Sequence, residues 1–505
     1  MIQCTKTREE ISLNGDNLCL KQVEQIAKGA AVSIASDVED KMHASRAFVE
    51  SVAAGETPVY GVNTGFGYFS RKRIENDKLL ELQKNIIVSH ASGYGKPLSI
   101  PETRVAMCLR LHVLSKGYTG VRYCLCEALL HLIQAEIYPV IPESGSVGAS
   151  GDLAPLAHLA MPLIGHGEVF YKNQRLPALE ALKEEKLPVF ELAEKEGLSL
   201  INGTQVMLAV GSLALAKACR VALMSDKITA LSYEGMEARV DALYPKLHEA
   251  RGQKGQCSVA ARILSELEGS YLMDSHFKAP RVQDSYSLRC APQVHGPSHD
   301  LLAFCRDKVE IELNAATDNP LVFSDEGSIV SGGNFHGQVL GMAFDSACAA
   351  VSELGNISER RIELLLNPNS SELPAFLTPY EGTHSGYMAA QYLAASLVNE
   401  NKGLANPAWT DSIPGNVGVE DHVSMGMNSA KKLRKIVENT VTILSVEALL
   451  ASQAIDLRIS RQLGKGTERI YSLLRERVPK LDTDREIHLD VSRSRQLIEE
   501  LIADL

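Results

Sequence analysis

The stretch from Asn428 to Gln462 contains neither proline nor glycine, and within it Leu433, Ile436, Val437, Val441, Leu444, Ala448 and Ile455 recur at three- and four-residue spacing. That period puts an apolar stripe on one side of a helix of many turns. A stripe of this length needs other long helices to cover it. Leu301 to Ala316, Met342 to Leu366 and Tyr387 to Leu404 carry the same pattern. Alternating β-branched residues are confined to short pieces such as Val322-Phe323 and Ser328-Ile329-Val330. The expected fold is therefore mainly α, a bundle of long helices. Stripes too long for one chain to cover also favour self-association.

A chain of 505 residues ordinarily makes about three domains, but no flexible linker separates any here. The charged stretch Leu182 to Glu196 reads as a solvated face near a boundary, which divides the chain into an N-terminal part, 1–200, and a long-helix remainder, 201–505. Lys and Arg total 51 against 62 Asp and Glu, a formal charge of −11, with no basic cluster. This argues against nucleic acid or an anionic membrane as partner. Met1 to Glu10 lacks the basic and apolar halves of a secretory signal. Val206 to Met224 is apolar but carries Lys217 and Arg220, which fits a buried bundle helix better than a membrane span. Ten scattered cysteines, without zinc-ligand spacing, read as reduced thiols of a cytoplasmic protein. Neither His-x-x-x-His pairs nor carboxylate clusters suggest a metal.

The chemistry concentrates in Gly145-Ser146-Val147-Gly148-Ala149-Ser150-Gly151-Asp152-Leu153-Ala154-Pro155-Leu156-Ala157-His158. If the amide nitrogen of Gly151 closes on the carbonyl carbon of Ala149, a five-membered ring forms. Loss of two waters then leaves an exocyclic methylene from Ser150, a strong electrophile. Closure needs sharply bent backbone and close approach, which a side chain at residue 151 would obstruct and which Gly145 and Gly148 ease. Asp152 is suited to orient a proton donor or acceptor during dehydration. A serine hydrolase is disfavoured, because Gly148-Ala149-Ser150-Gly151-Asp152 fails Gly-x-Ser-x-Gly at its last position.

The run resembles the methylidene-imidazolone (MIO) signature of the aromatic amino acid ammonia-lyases, the family of histidine, phenylalanine and tyrosine ammonia-lyases and related aminomutases. Further similar segments extend from Tyr60-Gly61-Val62-Asn63-Thr64-Gly65-Phe66-Gly67 to Gln453-Ala454-Ile455-Asp456-Leu457-Arg458, covering most of the chain. The resemblance implies an MIO made from Ala149, Ser150 and Gly151 with no dissociable cofactor. It also implies a homotetramer with active sites shared between subunits. In the implied reaction the electrophile takes up the amine of a small amino acid while a base removes the β-proton.

By the same resemblance Tyr60 is the base, in a Gly-punctuated loop able to close over substrate. Its phenol titrates near ~10, so it would need a field favouring phenolate, which helix N-termini could supply. Arg289 has the planar fork that grips a carboxylate, Gln283 and Tyr286 line the site, Asn202 hydrogen-bonds the MIO or its adduct, and Phe335 packs on the ring. Ser89-His90 is the pair typical of histidine-selective members, whose histidine hydrogen-bonds the substrate imidazole. Glu447 matches a glutamate of the same branch that accepts an imidazole N–H. The implied activity is conversion of L-histidine to urocanate and ammonia. The alternatives are a tyrosine or phenylalanine lyase, an aminomutase, or an inactive scaffold. Three departures from the family pattern bear on substrate preference: Val419 where Gln is usual, His295 where many histidine lyases have Met, and Gly382-Thr383-His384-Ser385-Gly386-Tyr387-Met388 in place of Gly-Leu-Asn-Ser-Gly-Phe-Met.

Overall fold

The computed structural model describes residues 10–505, so the N-terminal stretch read above for a secretory signal lies outside the described residues up to residue 9. The chain forms two compact units. The first comprises the chain up to Ala216 with Asp307–Phe344 and Pro407–Lys431; the second comprises Lys217–Arg306, Asp345–Asn406 and Lys432–Leu505. Residue 200 lies inside the first unit, in the helix Glu196–Ile201. Unit boundaries fall within the long helices Gln205–Met236, Ala291–Leu313, Gln338–Leu366 and Gly426–Leu457, so each contributes residues to both units.

The periodic segments are helical, though the one expected over Leu301 to Ala316 begins earlier, running Ala291–Leu313 with Pro297 inside it. The helix expected over Asn428 to Gln462 runs Gly426–Leu457. It stops short because Arg458 turns back, donating from Nε to the Gly235 carbonyl at 2.9 Å and from Nη2 to that of Ser371 at 2.8 Å. Leu433, Ile436, Val437, Val441, Leu444 and Ala448 are buried, and so are Ile443, Val446, Leu449 and Leu450. This segment is thus a core helix covered nearly all round rather than a one-sided one. Two of its buried polar groups are tied to backbone: Ser445 Oγ donates to the Val441 carbonyl at 2.7 Å, and the Gln453 amide exchanges two hydrogen bonds with the Leu481 backbone. Gln205–Met236 and Gly426–Leu457 are long and apolar enough to cross a bilayer, but 72% and 78% of those windows are buried in protein.

The first unit holds all the short sheets among the described residues, including the antiparallel pair Leu321–Phe323 with Ser328–Val330. Its central element is the helix Ile100–Leu114, opened by a capping box in which Ser99 Oγ accepts from the Glu102 N–H and the Glu102 carboxylate accepts from the Ser99 N–H. Two buried arginines on this helix tie it to its surroundings. Arg104 donates to the carbonyls of Ile26, Ala30 and Ile133 and to Tyr138 Oη. Arg110 donates to the carbonyls of Asn202 and Ser199 and to Gln205 Oε1, clamping the junction between the helices Glu196–Ile201 and Gln205–Met236. Beside that junction Lys195 and Asp318 form a fully buried pair at 2.8 Å, and Ser199 Oγ bridges them.

An ion removed from water at this depth is tolerated only while its counter-charge remains. Lys195→Met is therefore expected to cost about 3–5 kcal/mol, seen as a lowered unfolding midpoint. The double change Lys195→Met with Asp318→Leu should recover most of the loss, and an unchanged midpoint in the single variant would overturn this account.

Candidate active site

The segment Gly145 to Gly151 is held on two sides within the first unit. From behind, Ser424 Oγ donates to the Gly148 carbonyl at 3.0 Å and the Met425 N–H to that of Val147 at 2.9 Å. In front, Gly151 lies against Gly203. A Cβ on Gly151 would sit 2.0 Å from the Gly203 carbonyl oxygen, and φ is +70° there, so only glycine fits. The next N–H, of Asp152, donates to that same oxygen at 2.6 Å.

Asp152 occupies the N-cap position of the helix Leu153–Ala160, but its side chain makes no capping bond there. It reaches instead to the first turn of Gln205–Met236, accepting from the Met207 N–H at 2.7 Å, and it also accepts from Ser146 Oγ at 2.8 Å. Complete burial pushes its carboxyl up to about 6, against the pull of these donors.

Ser150 stands where two cavities of the first unit meet, one of about 620 Å³ and one of about 720 Å³; Tyr60, Gly67, Asn202, Asn416 and Glu420 line both. The smaller is largely apolar, walled by Phe66, Ile86, Leu153 and Leu198, and holds Ser89 and His90. The larger holds Phe335, His336, Asp421 and His422. Asn202 is buried with its carbonyl fixed by Arg110, while its side-chain Oδ1 is buried without a hydrogen-bond partner. An orphaned acceptor on a residue that lines both cavities is uncommon in a folded chain.

Tyr60 is fixed by Asn63, whose buried side chain accepts from the Val59 N–H at 2.7 Å and donates to the Thr57 carbonyl at 3.0 Å. The Gly67 N–H donates to Tyr60 Oη at 3.5 Å. Burial raises the phenol above its ordinary value; the Gly67 bond pulls it down, and the charges of Glu420 and Asp318 raise it further. The field on Tyr60 within this unit thus favours phenol, the opposite of the phenolate-stabilising field expected from sequence. His90 ends the helix Leu79–His90, with Nδ1 at 3.1 Å from Ser89 Oγ. Burial lowers its imidazole below the ordinary value, partly offset by the Ile86 carbonyl and by Glu420, so it is neutral at neutral pH.

Glu420 was not singled out by sequence. Ser150 Oγ donates to its Oε1 at 3.1 Å, and Asn416 Nδ2 to the same oxygen at 3.3 Å. The only hint was a carboxylate in a Gly-punctuated loop, Gly415-Asn416-Val417-Gly418-Val419-Glu420. At Val419, where the resemblance led one to expect Gln, the loop is closed by the Gly415 N–H donating to the Glu420 carbonyl at 2.8 Å, and Val419 stays exposed.

Gln283, Tyr286, Arg289 and Glu447 are placed by the second unit. Tyr286 is 69% exposed, and the Arg289 guanidinium lies 4.6 Å from its ring centroid, anchored through Nε to the Asp284 carbonyl at 2.9 Å. Glu447 is fully buried. Its Oε1 accepts from Arg361 Nε at 2.5 Å and Ser232 Oγ at 2.7 Å, and its Oε2 from Arg361 Nη2 at 3.0 Å and Ser358 Oγ at 2.5 Å. Four donors fill the acceptor sites of one carboxylate, so a ligand N–H reaches it only by displacing one. Next to this pair, His295 Nδ1 donates to Asp226 Oδ1 at 2.7 Å, and His299 and Arg262 meet the other oxygen. Burial alone would raise Asp226, but the two histidines hold it well below the usual carboxylate range.

The pattern of the aromatic amino acid lyase family matches residues 18–476. The chain is 47% identical over 500 residues, 98% of both sequences, to a histidine ammonia-lyase of Myxococcus xanthus. Among solved structures, the histidine ammonia-lyase of Trypanosoma cruzi superposes with a TM-score of 0.91 at 39% identity, covering 98% of this chain and 94% of that one. A tyrosine aminomutase from Streptomyces globisporus gives 0.92 at 36% identity, with 97% of each chain covered.

Two consequences can be measured. Because burial raises the Asp152 pKa, its contribution to stability is complete below about pH 4 and lost as pH rises through about 6. Asp152→Asn, neutral throughout, should gain on the wild type by up to about 3 kcal/mol between about pH 4 and about pH 8 in denaturant unfolding. A difference independent of pH would contradict the assignment. Glu447→Gln strands the buried Arg361 charge and should lower stability by about 3–5 kcal/mol; a variant with altered substrate KM and an unchanged unfolding midpoint would instead mark Glu447 as a substrate contact alone.

Proposed function

Since the chain belongs to the aromatic amino acid lyase family, we propose that it is a carbon–nitrogen lyase converting L-histidine to urocanate and ammonia, with an MIO formed from Ala149, Ser150 and Gly151. The observation that carries this reading is Ser150 at the meeting of two cavities, on backbone with no room for a side chain at Gly151, with Asn202 and its unpartnered Oδ1 among the residues lining both. These residues fit the group: the bend is built in, and the orphaned acceptor has a donor to receive when an amine is present. Once formed, the group supplies an electrophilic carbon for the substrate amine.

The rest is work for the chain's own side chains. The apolar walls Phe66, Ile86, Leu153 and Leu198 exclude water from the bound side chain. Neutral His90 is able to donate to or accept from an imidazole, which a phenyl ring cannot answer. The histidine ammonia-lyase names of the relatives that match nearly the whole chain support the same substrate. Tyr60 takes the β-proton. With only Glu420 and Asp318 acting on it by charge, it needs a cation from elsewhere to become phenolate. In this reading the chain works as a cytoplasmic homotetramer, and the exposed segment carrying Gln283, Tyr286 and Arg289 completes a neighbouring subunit's cavity, Arg289 gripping the substrate carboxylate and bringing positive charge near Tyr60. Exposure of Tyr286 with Arg289 over its ring supports a docking role, and nine free cysteines among the described residues fit a reducing compartment.

Ultraviolet absorbance with L-histidine, L-tyrosine and L-phenylalanine tests the reading. Urocanate alone is expected, with none from Ser150→Ala, and His90→Leu should reduce histidine turnover at least about tenfold more than any tyrosine turnover. Coumarate or cinnamate as the main product, or full activity in Ser150→Ala, would overturn it.

A further inference from the structure

Making the electrophile is itself a reaction, and its difficult moment is departure of the Ser150 hydroxyl. Hydroxide is a poor leaving group; a positioned acid that delivers a proton to Oγ as the bond breaks contributes about 10²–10⁴ in rate. Three carboxyl groups stand near the segment: Asp152, Asp421 on the wall of the larger cavity, and Glu420. Asp152 is committed elsewhere, one oxygen accepting from Ser146 Oγ and the other from the Met207 N–H. Glu420 is the one in contact with the leaving atom, its Oε1 at 3.1 Å from Ser150 Oγ.

We propose that Glu420 is the acid that expels the Ser150 hydroxyl when residues 149–151 close into the MIO, an assignment that rests on the function proposed above. Ring closure forms the bond from Gly151 N to the Ala149 carbonyl carbon. The Ala149 oxygen leaves as the first water, with one proton from Gly151 N and one from Ser150 N. In the second loss the Ser150 Cα–H bond breaks, its proton is taken up by the Glu420 carboxylate, and the electron pair becomes the Cα–Cβ double bond. The Cβ–Oγ bond breaks, and Oγ departs as water with the proton that Glu420 now delivers. Glu420 returns to the carboxylate, so the sum is one further water and no net change in the carboxyl.

The position of Glu420 is set by backbone and not by chance packing of a flexible side chain. The Gly415 N–H to Glu420 carbonyl bond closes its turn, and Asn416 Nδ2 holds the same carboxylate oxygen that faces Ser150. Asn416 is in turn pressed against the Tyr60 loop: the Tyr68 N–H donates to its Oδ1 at 3.3 Å, and a Cβ on Gly67 would sit 2.1 Å from its Nδ2. The acid, the serine and the loop that carries Tyr60 are therefore held together through Asn416.

The test is a time course of intact mass on full-length chain made by cell-free synthesis. Wild type should end two waters short of the encoded mass. Glu420→Gln, close in shape and still able to accept from Ser150 and Asn416, should accumulate chain short by one water. Its approach to the two-water loss should be more than about tenfold slower, with wild-type circular dichroism. A loop role alone would not divide the two waters. Loss of both waters by Glu420→Gln within tenfold of the wild-type rate would overturn the proposal. If Gln disturbs folding, Glu420→Asp decides: it withdraws the acid by one methylene and should slow maturation severalfold, and an unchanged rate overturns the assignment. Wild type that loses no water at all would instead sink the MIO reading itself.

Discussion

The candidate site depends on one backbone seam, the contact of Gly151 with Gly203. Any side chain at residue 151 would occupy the position of the Gly203 carbonyl oxygen, and the same oxygen accepts the Asp152 N–H. With the two glycines in contact, Asp152 is delivered to the first turn of Gln205–Met236, where exposed N–H groups and the helix dipole compensate part of its burial. Arg110 locks the other side of the seam by taking the carbonyls of Ser199 and Asn202. Asn202, Ser150 and Asp152 thus acquire their positions from one constraint, and none of them is free to drift separately.

Buried charge is the second organising device, and it operates within each unit. In the first, Lys195 and Asp318 sit without exposed surface beside the Asn202 junction, and Asp318 adds to the negative field on Tyr60. In the second, the buried groups Arg361, Glu447, Asp226 and His295, with the partly exposed His299 and Arg262, form a continuous polar cluster, Arg361 Nη1 reaching to 3.4 Å from His295 Nε2. A polar His295, at a position where the resemblance led one to expect Met, is physically sustainable because Asp226 accepts its N–H; an apolar neighbour there would leave an imidazole donor unpaired. Such networks cost desolvation and return geometric specificity, since every member fixes its neighbours' orientation.

Helices were legible because their signal is local. Apolar residues three and four apart are neighbours on a helix whatever the rest of the chain does, so Met342 to Leu366 and Tyr387 to Leu404 emerge almost unchanged as Gln338–Leu366 and Met388–Leu404. Where tertiary contacts intervene the local signal fails: Arg458 ends a helix that composition alone would continue, and the carbonyls that capture it lie far away in sequence. Side-chain state was less legible than position. The sequence marks Tyr60 as a residue to watch, but only the folded chain reveals that burial and two carboxylates hold it as a phenol.

By itself the sequence supplied the grounds for the covalent chemistry proposed for this protein: a serine between residues that tolerate ring closure, a run of glycines that bends the chain there, and helices long enough to hold a rigid frame around it. Those properties belong to single residues or to neighbours within a few positions, so they survive any arrangement of the rest. Tertiary structure alone decided which carboxylate meets the Ser150 hydroxyl, because Glu420 lies 270 residues away. It likewise decided that Glu447 is consumed by Arg361 and that Asp152 serves a helix other than its own. Those pairings depend on which surfaces pack together, and hydrogen bonds made across such separations leave no periodicity in the chain from which to read them.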